Sequence, residues 1–214
     1  MTLLTNATIL LPQTYHSIDK SYAQNYDIQP RIPIELPHEE GFEIQDSDLQ
    51  LSINDIIHDS DNESYRIIDL IGVGSFSKVY KCEVVKKPGL LIALKISRNI
   101  PRLVKRLENE FNVISKLQKG NDVIGINSIS RVYKFFHFSG HACVTMELYQ
   151  RSLLDHLNYH SEILSFVRSI MFQLLHALSH IHSHGLSHCD IKSDNIMMTS
   201  EGSFSIRLID FGNA

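Results

Sequence analysis

From Tyr65 onward the chain alternates apolar and polar positions in patterns that predict regular elements. Tyr65-Arg66-Ile67-Ile68-Asp69-Leu70-Ile71 has strand composition and runs through Gly72-Val73-Gly74-Ser75-Phe76-Ser77 into a second strand, Lys78 to Val85. Pro88-Gly89 turns the chain, and Leu90 to Ile96 predicts a third strand that carries Ala93-Leu94-Lys95. The period then changes. Leu103, Val104, Leu107, Phe111, Ile114 and Leu117 recur at helical spacing, with Pro101 in the first turn and Gly120 closing the helix. Two more strands are predicted over 131–138 and 142–148, joined at Ser139-Gly140. A short helix over 152–157 follows, then a long one over 162–184 with a broad apolar face from Ile163 to Ile181 and Gly185 as its C-cap. Strands thus give way to helices near Tyr149. Residues 1–64 lack sustained periodicity, and Pro12, Pro30, Pro33 and Pro37 interrupt any helix there. The expected organisation is an acidic, largely disordered arm and spacer (1–64), a strand-rich lobe (65–149) and the start of a helical lobe (150–214).

Chemistry concentrates late in the chain. His188-Cys189-Asp190-Ile191-Lys192-Ser193-Asp194-Asn195 is followed by Asp210-Phe211-Gly212. A carboxylate accepts a proton from a hydroxyl, an amide oxygen and a second carboxylate are hard ligands for Mg²⁺, and a lysine neutralises a phosphate, so this set suits phosphoryl transfer. Upstream, Gly72-x-Gly74-x-x-Ser77 between two strands is either a loop that lies over phosphates or a plain hairpin turn. The exit Met146-Glu147-Leu148-Tyr149 either offers backbone groups to an adenine edge or is an ordinary strand end. On the helix over 101–117, Glu110 lies about 60° around the axis from Leu107, on the side of Leu103 and Leu117, whereas Glu108 lies about 100° away on the other side. Glu110 is therefore the acid expected to point inward, toward Lys95. A Walker-type loop is absent, which argues against a P-loop ATPase or GTPase. His176, His180, His182 and His184 are read as solvent-facing or helix-end residues rather than a zinc site, and Cys189 as a structural thiol.

Composition adds boundaries. The net charge of −4 is uneven: residues 1–64 hold twelve acidic and two basic residues, and residues 65–214 hold twelve acidic and eighteen basic. The basic body suits an anionic ligand, yet no Lys/Arg-dense run points to nucleic acid. Three cysteines without a C-x-x-C fit a reducing compartment. The N-terminus has no basic n-region or cleavage site, and no apolar run reaches the ~20 residues that span a bilayer. The expectation is a soluble, intracellular protein, cytoplasmic or nuclear or both, with no membrane partner and with its oligomeric state open.

Taken in order, Gly72-x-Gly74-x-x-Ser77 with Val79, Ala93-Leu94-Lys95, Glu110, His188-x-Asp190-x-Lys192-x-x-Asn195 and Asp210-Phe211-Gly212 resemble the signature set of eukaryotic protein kinases over residues 65–214. The resemblance implies an α+β, protein-kinase-like fold: a strand-rich N-terminal lobe with one regulatory helix, then the first helices and catalytic loop of an incomplete helical C-terminal lobe. It implies ATP and Mg²⁺. Ile71, Gly72, Val73, Gly74, Ser75, Phe76, Ser77 and Val79 would cover the nucleotide. Lys95, held by Glu110, would contact its phosphates. Glu147 and Tyr149 would present backbone hydrogen bonds to adenine behind a Met146 gatekeeper, and Ala93 and Met197 would sandwich the base. Asp190 would deprotonate the substrate hydroxyl, Lys192 would steady the transferring phosphate, and Asn195 and Asp210 would hold Mg²⁺. Lys192 two residues after Asp190 is similar to serine/threonine kinases. His-Cys-Asp, the Met-Glu-Leu-Tyr exit and Asp-Phe-Gly-Asn-Ala resemble the DYRK/HIPK branch of the CMGC group, which implies protein substrates phosphorylated on Ser or Thr, with Tyr reached by autophosphorylation in full-length members.

Three departures matter. Ser77 stands for the third loop glycine. Cys189 stands for the arginine of H-R-D, which puts control through a loop phosphate in doubt. The sequence also stops at Ala214, before an activation segment and the anchoring helices, so either a fragment or a truncated product is expected, with Phe166, Ile170 or Leu174 short of partners. The leading expectation is a serine/threonine kinase. The alternative is a catalytically inactive kinase-like protein that binds nucleotide or a partner, and a small-molecule phosphotransferase stands third.

Overall fold

The computed structural model describes residues 49–159, 164–200 and 204–214. Its strands are β1 (Ile56–His58), β2 (Ser64–Val73), β3 (Ser77–Val84), β4 (Leu91–Ser97), β5 (Val132–Phe138), β6 (His141–Met146), β7 (Ile196–Met198) and β8 (Ile206–Leu208). Its helices are α1 (Pro101–Leu117), α2 (Val123–Ile126), α3 (Leu153–Tyr159) and α4 (Leu164–Ser183). Six strands form one antiparallel sheet in the order β1-β2-β3-β4-β6-β5, and β7 and β8 form a separate antiparallel hairpin.

The alternation within β4 explains how the sheet serves two purposes. Ile92, Leu94 and Ile96 point into a core shared with Ile57, Tyr65, Ile67, Tyr80, Cys82, Phe136 and Cys143. Ala93 and Lys95, one residue out of phase, face the opposite side. Burial in this core pushes the thiols of Cys82 and Cys143 up to about 12, so both stay protonated and inert. On the other side of the sheet α1 packs Leu107, Ile114 and Leu117 against Val132, Ala142 and Val144. This second core continues through Ile129 into Phe166, Ile170, Leu174, Ala177 and Ile181 of α4 and the β7–β8 hairpin.

Three sequence expectations change. Residues 49–64, read as part of the arm, hold β1, and Leu49 and Leu51 pack on the sheet core. Short apolar anchors supply this order where periodicity gives no sign of it. The rest of that arm, residues 1–48, lies outside the described residues. Phe166, Ile170 and Leu174 do not lack partners: they are buried under the β7–β8 hairpin, where Phe166 stacks on His156 (5.0 Å) and meets Phe204 edge-on (5.3 Å). The exposed apolar residues of α4 are instead Leu164, Val167, Met171, Phe172 and Leu175. Finally, His180 is a helix-end residue, in the last turn of α4, but it is buried rather than solvent-facing. Its Nε2 lies 2.8 Å from the Leu117 carbonyl and its Nδ1 3.1 Å from the Asp122 carboxylate, tying α4 to the end of α1 and the start of α2.

Candidate active site

β4 and α1 build the first half of the site. Lys95 Nζ donates to both carboxylate oxygens of Glu110 at 2.7 Å, with side chains only 16% and 6% exposed. Glu110 reaches Lys95 because it shares the inward face of α1 with Leu103, Leu107 and Ile114. Glu108 pairs with Lys105 on the surface instead. In the sheet register Val79 lies opposite Lys95, and Ala93 lies opposite Met146. The β2–β3 hairpin closes over this region through a Gly74 N–H to Ser77 carbonyl bond of 2.9 Å.

Beyond Met146 the chain leaves the sheet with its backbone partly free. The Glu147 N–H donates to the Arg131 carbonyl (2.9 Å), and the Tyr149 hydroxyl accepts from the Arg131 N–H (2.9 Å). Among the described residues, the Glu147 carbonyl and Tyr149 N–H have no backbone partner. Arg207 Nε donates to the Glu147 carboxylate at 3.3 Å, bracing this exit from β8. Burial raises the Tyr149 hydroxyl far above its ordinary value, so the group stays neutral.

The second half of the site hangs on the β7–β8 hairpin. Asn195 immediately precedes β7 and Asp210 follows β8 by two residues, and the Ile209 N–H to Asn195 carbonyl bond (2.9 Å) closes the base. A separation of fifteen residues in sequence thereby becomes adjacency. Asn195 Nδ2 donates to the Asp190 carbonyl (2.8 Å) and carboxylate (3.0 Å). Lys192 Nζ reaches the same carboxylate oxygen at 2.7 Å. The hydrogen bond from Lys192, helped by Asn195 and nearby positive charge, holds the Asp190 carboxyl below the usual carboxylate range against a small desolvation penalty. The same pairing raises the Lys192 ammonium. Behind them, buried His188 accepts at Nδ1 from the Asp190 N–H (3.3 Å), so Nε2 carries the proton it donates to the Ile209 carbonyl (2.9 Å). Its ring packs edge-on against Phe211 at 4.8 Å. Cys189 (φ 63°) and Asp210 (φ 65°) both adopt left-handed backbone, which is uncommon outside glycine and is found where surrounding contacts over-determine the geometry. Cys189 is exposed, and its thiol makes only a 3.5 Å contact with the Ser187 carbonyl.

Two adjoining cavities result. The larger, of about 620 Å³, runs from Ile71, Val79, Ala93, Met146 and Met197 to Lys95, Asn195 and Asp210. The smaller, of about 340 Å³, lies under Ser75 and Phe76 and adds Asp190 and Lys192. Every residue proposed from sequence for the site lines one or both. The donor set fits a nucleotide with Mg²⁺: an apolar slot beside free backbone groups suits a flat base, and a cation with two oxygen ligands suits phosphates and a hard ion. Among the described residues no group of three His, Cys, Asp or Glu gathers to hold a metal alone, so an ion at Asn195 and Asp210 would complete its shell from phosphate and water. Sequence reading missed Arg106, Asn213 and Arg207, which also touch the site. Only Arg106 had a signal, one helical turn before Glu110.

Comparison with known proteins agrees with this geometry. The family profile described as protein kinase domain matches residues 65–214. The chain is 28% identical over 214 residues to serine/threonine-protein kinase ppk15 of Schizosaccharomyces pombe, covering 97% of this chain and 40% of that protein. It is 32% identical over 162 residues to dual specificity tyrosine-phosphorylation-regulated kinase 4 of Homo sapiens, covering 74% and 31%. It is 29% identical over 213 residues to the dual specificity protein kinase YAK1 homolog of Arabidopsis thaliana, covering 95% and 22%. It thus spans well under half the length of these relatives. A crystal structure of a kinase domain superposes with a TM-score of 0.68 at 21% identity, over 78% of this chain and 55% of that one, and shares the fold. The chain belongs to the protein kinase family, and its relatives include dual-specificity tyrosine-phosphorylation-regulated and YAK1-type kinases.

Proposed function

We propose that this chain carries the nucleotide-binding and catalytic groups of an ATP- and Mg²⁺-dependent kinase that phosphorylates protein hydroxyls, chiefly serine and threonine. The observation that supports this most directly is the Lys95–Glu110 pair at 2.7 Å, facing Asp190, Lys192 and Asp210 across one cavity. Lys95, held straight by Glu110, binds the α- and β-phosphates. The Glu147 carbonyl and Tyr149 N–H orient the adenine, with Ala93 and Met197 on its two faces and Met146 behind. Asn195 and Asp210 hold Mg²⁺, which supplies neutralisation of phosphate charge when bound. Asp190, ionised at neutral pH, accepts the proton of the attacking hydroxyl. Lys192 balances the charge on the transferring group while its contact with Asp190 fixes that carboxylate. Names of the relatives, which include both serine/threonine and dual-specificity kinases, favour protein substrates.

Two measurements test the reading. The 214-residue chain is expected to bind Mg·ATP, with Lys95→Ala weakening the affinity by about tenfold or more, the cost of a lost charge-assisted contact. Asp190→Asn is expected to reduce γ-phosphate transfer to protein by roughly 10²–10⁴-fold with little change in nucleotide affinity. Transfer that survives Asp190→Asn removes Asp190 as the base. Nucleotide affinity indifferent to Lys95→Ala removes the phosphate site.

A further inference from the structure

The tip of the glycine loop is held by a contact that the kinase reading does not require. Phe76, at the tip, is 46% exposed, and its ring faces the guanidinium of Arg106 at 4.4 Å from the centroid. Arg106 lies on α1 one turn before Glu110, half-buried in the wall of the smaller cavity. Its Nη2 also donates to Asn213 Oδ1 at 2.8 Å, immediately after Asp210-Phe211-Gly212. A methyl group placed at Gly212 would come within 3.1 Å of Arg106 Nε, so the guanidinium lies close along that backbone. One planar cation therefore touches three separately anchored parts: the tip of the β2–β3 hairpin, the helix that carries Glu110, and the segment that carries Asp210.

We propose that Arg106 is a positioning residue that clamps the glycine-loop tip, through Phe76, to α1 and Asn213, so that the loop closes over the phosphate end of the cleft only when Glu110 and Asp210 are both in place. The purpose of the clamp rests on the nucleotide reading given above. The chemistry selects arginine over lysine. A guanidinium presents a flat face to the Phe76 ring while its edge still donates to Asn213, whereas an ammonium cannot stack and donate in the same plane. Phe76 has no other ring partner among the described residues; its carbonyl accepts from the Arg98 N–H at 3.1 Å, which ties the tip's backbone to the end of β4, so the Arg106 contact is what holds its side chain and couples the tip to α1. Arg106 acts on the phosphates through the loop, so its loss distinguishes ligands that carry phosphates from those that do not.

The test uses the 214-residue chain with Arg106→Ala, Phe76→Leu and Asn213→Ala. Hydrogen exchange of the amides from Gly72 to Ser77, read without nucleotide, is expected to quicken in Arg106→Ala and Phe76→Leu alike, with no further change in the double variant. Mg·ATP affinity is expected to fall roughly three- to tenfold in Arg106→Ala, while adenosine affinity and the urea midpoint stay as in the wild type. Asn213→Ala is expected to give a smaller shift in the same direction, and Arg106→Lys to restore less than half of the loss. Unchanged exchange across the loop in Arg106→Ala overturns the clamp whatever the nucleotide result. Equal losses for ATP and adenosine also overturn it, because they mark a general structural defect. Quicker exchange in the variants, together with a wild-type chain that binds no Mg·ATP, keeps the clamp and overturns the nucleotide reading instead.

Discussion

Asp59 shows how one residue fastens the segment between β1 and β2 to the far edge of the sheet. Its side chain is fully buried and accepts from the Asp61 N–H (2.8 Å), the Glu63 N–H (2.9 Å), the Tyr65 hydroxyl (2.9 Å) and Lys134 Nζ (2.6 Å). Lys134 belongs to β5, at the far end of the sheet order from β1, and also pairs with Asp61. Burial by itself pushes the Asp59 carboxyl up, but Lys134, the Glu63 N–H, Tyr65 and the Asp61 N–H together pull it down to about 2. A carboxyl depressed in the folded state stabilises above its unfolded value near 3.8, and that stability is lost as the pH falls toward 2. The shift corresponds to about 2 kcal/mol. In urea titrations across pH 7 to 2, wild type is expected to exceed Asp59→Asn by about that amount at pH 7, and the gap is expected to close between about pH 4 and 2. A gap independent of pH would mean that packing, not the charge, is what Asp59 contributes.

At the scale of elements, legibility followed the range of the interactions. The strands of the large sheet other than β1, and helix α1, were readable because their apolar residues repeat with the period of the element itself, and the same arithmetic chose Glu110 over Glu108. The β7–β8 hairpin was not, because two three-residue strands carry too few positions to show a period, although they set Asn195 beside Asp210. Helix α2 escaped for the same reason: it has four residues and is capped by Asp122, whose carboxylate accepts from the Gly125 N–H at 2.9 Å. His180 looked like a surface residue because its partners lie 58 and 63 residues away. This junction makes its own prediction. A Cβ at Gly125 would sit 2.3 Å from the Asp122 carboxylate and 2.5 Å from the His180 Cβ, so α2 approaches α4 closely only because residue 125 is glycine. Gly125→Ala is expected to cost about 2–3 kcal/mol in urea unfolding, the range of an overpacked core. A cost below about 0.5 kcal/mol, typical of a tolerant surface site, would show that α2 moves away freely.

Across the whole molecule, α4 is apolar around more of its circumference than a surface helix needs. Phe166, Ile170, Leu174, Ala177 and Ile181 occupy one face and are buried against α1, Ile129 and the β7–β8 hairpin. Leu164, Val167, Met171 and Leu175 recur three or four residues apart along one flank of that face, with Phe172 farther round the helix, and they are 45% to 72% exposed. A helix apolar around so much of its circumference has the composition of an interior helix, and its uncovered stretch is a contiguous patch of the kind that drives association. Phe172 rests on the ring of His176 at 4.4 Å, which screens only its edge. The 214-residue chain is therefore expected to bind a hydrophobic dye and to self-associate with rising concentration, as read by light scattering. Replacing Phe172 and Leu175 together with glutamate is expected to suppress both while leaving the unfolding free energy from urea titration within about 0.5 kcal/mol of the wild type, since neither side chain supports the buried face. Dye binding and association unchanged in the double variant would place the sticky surface elsewhere. A large drop in stability would instead mean that this side of α4 is already covered in solution, because only a covered face loses packing when charge is introduced.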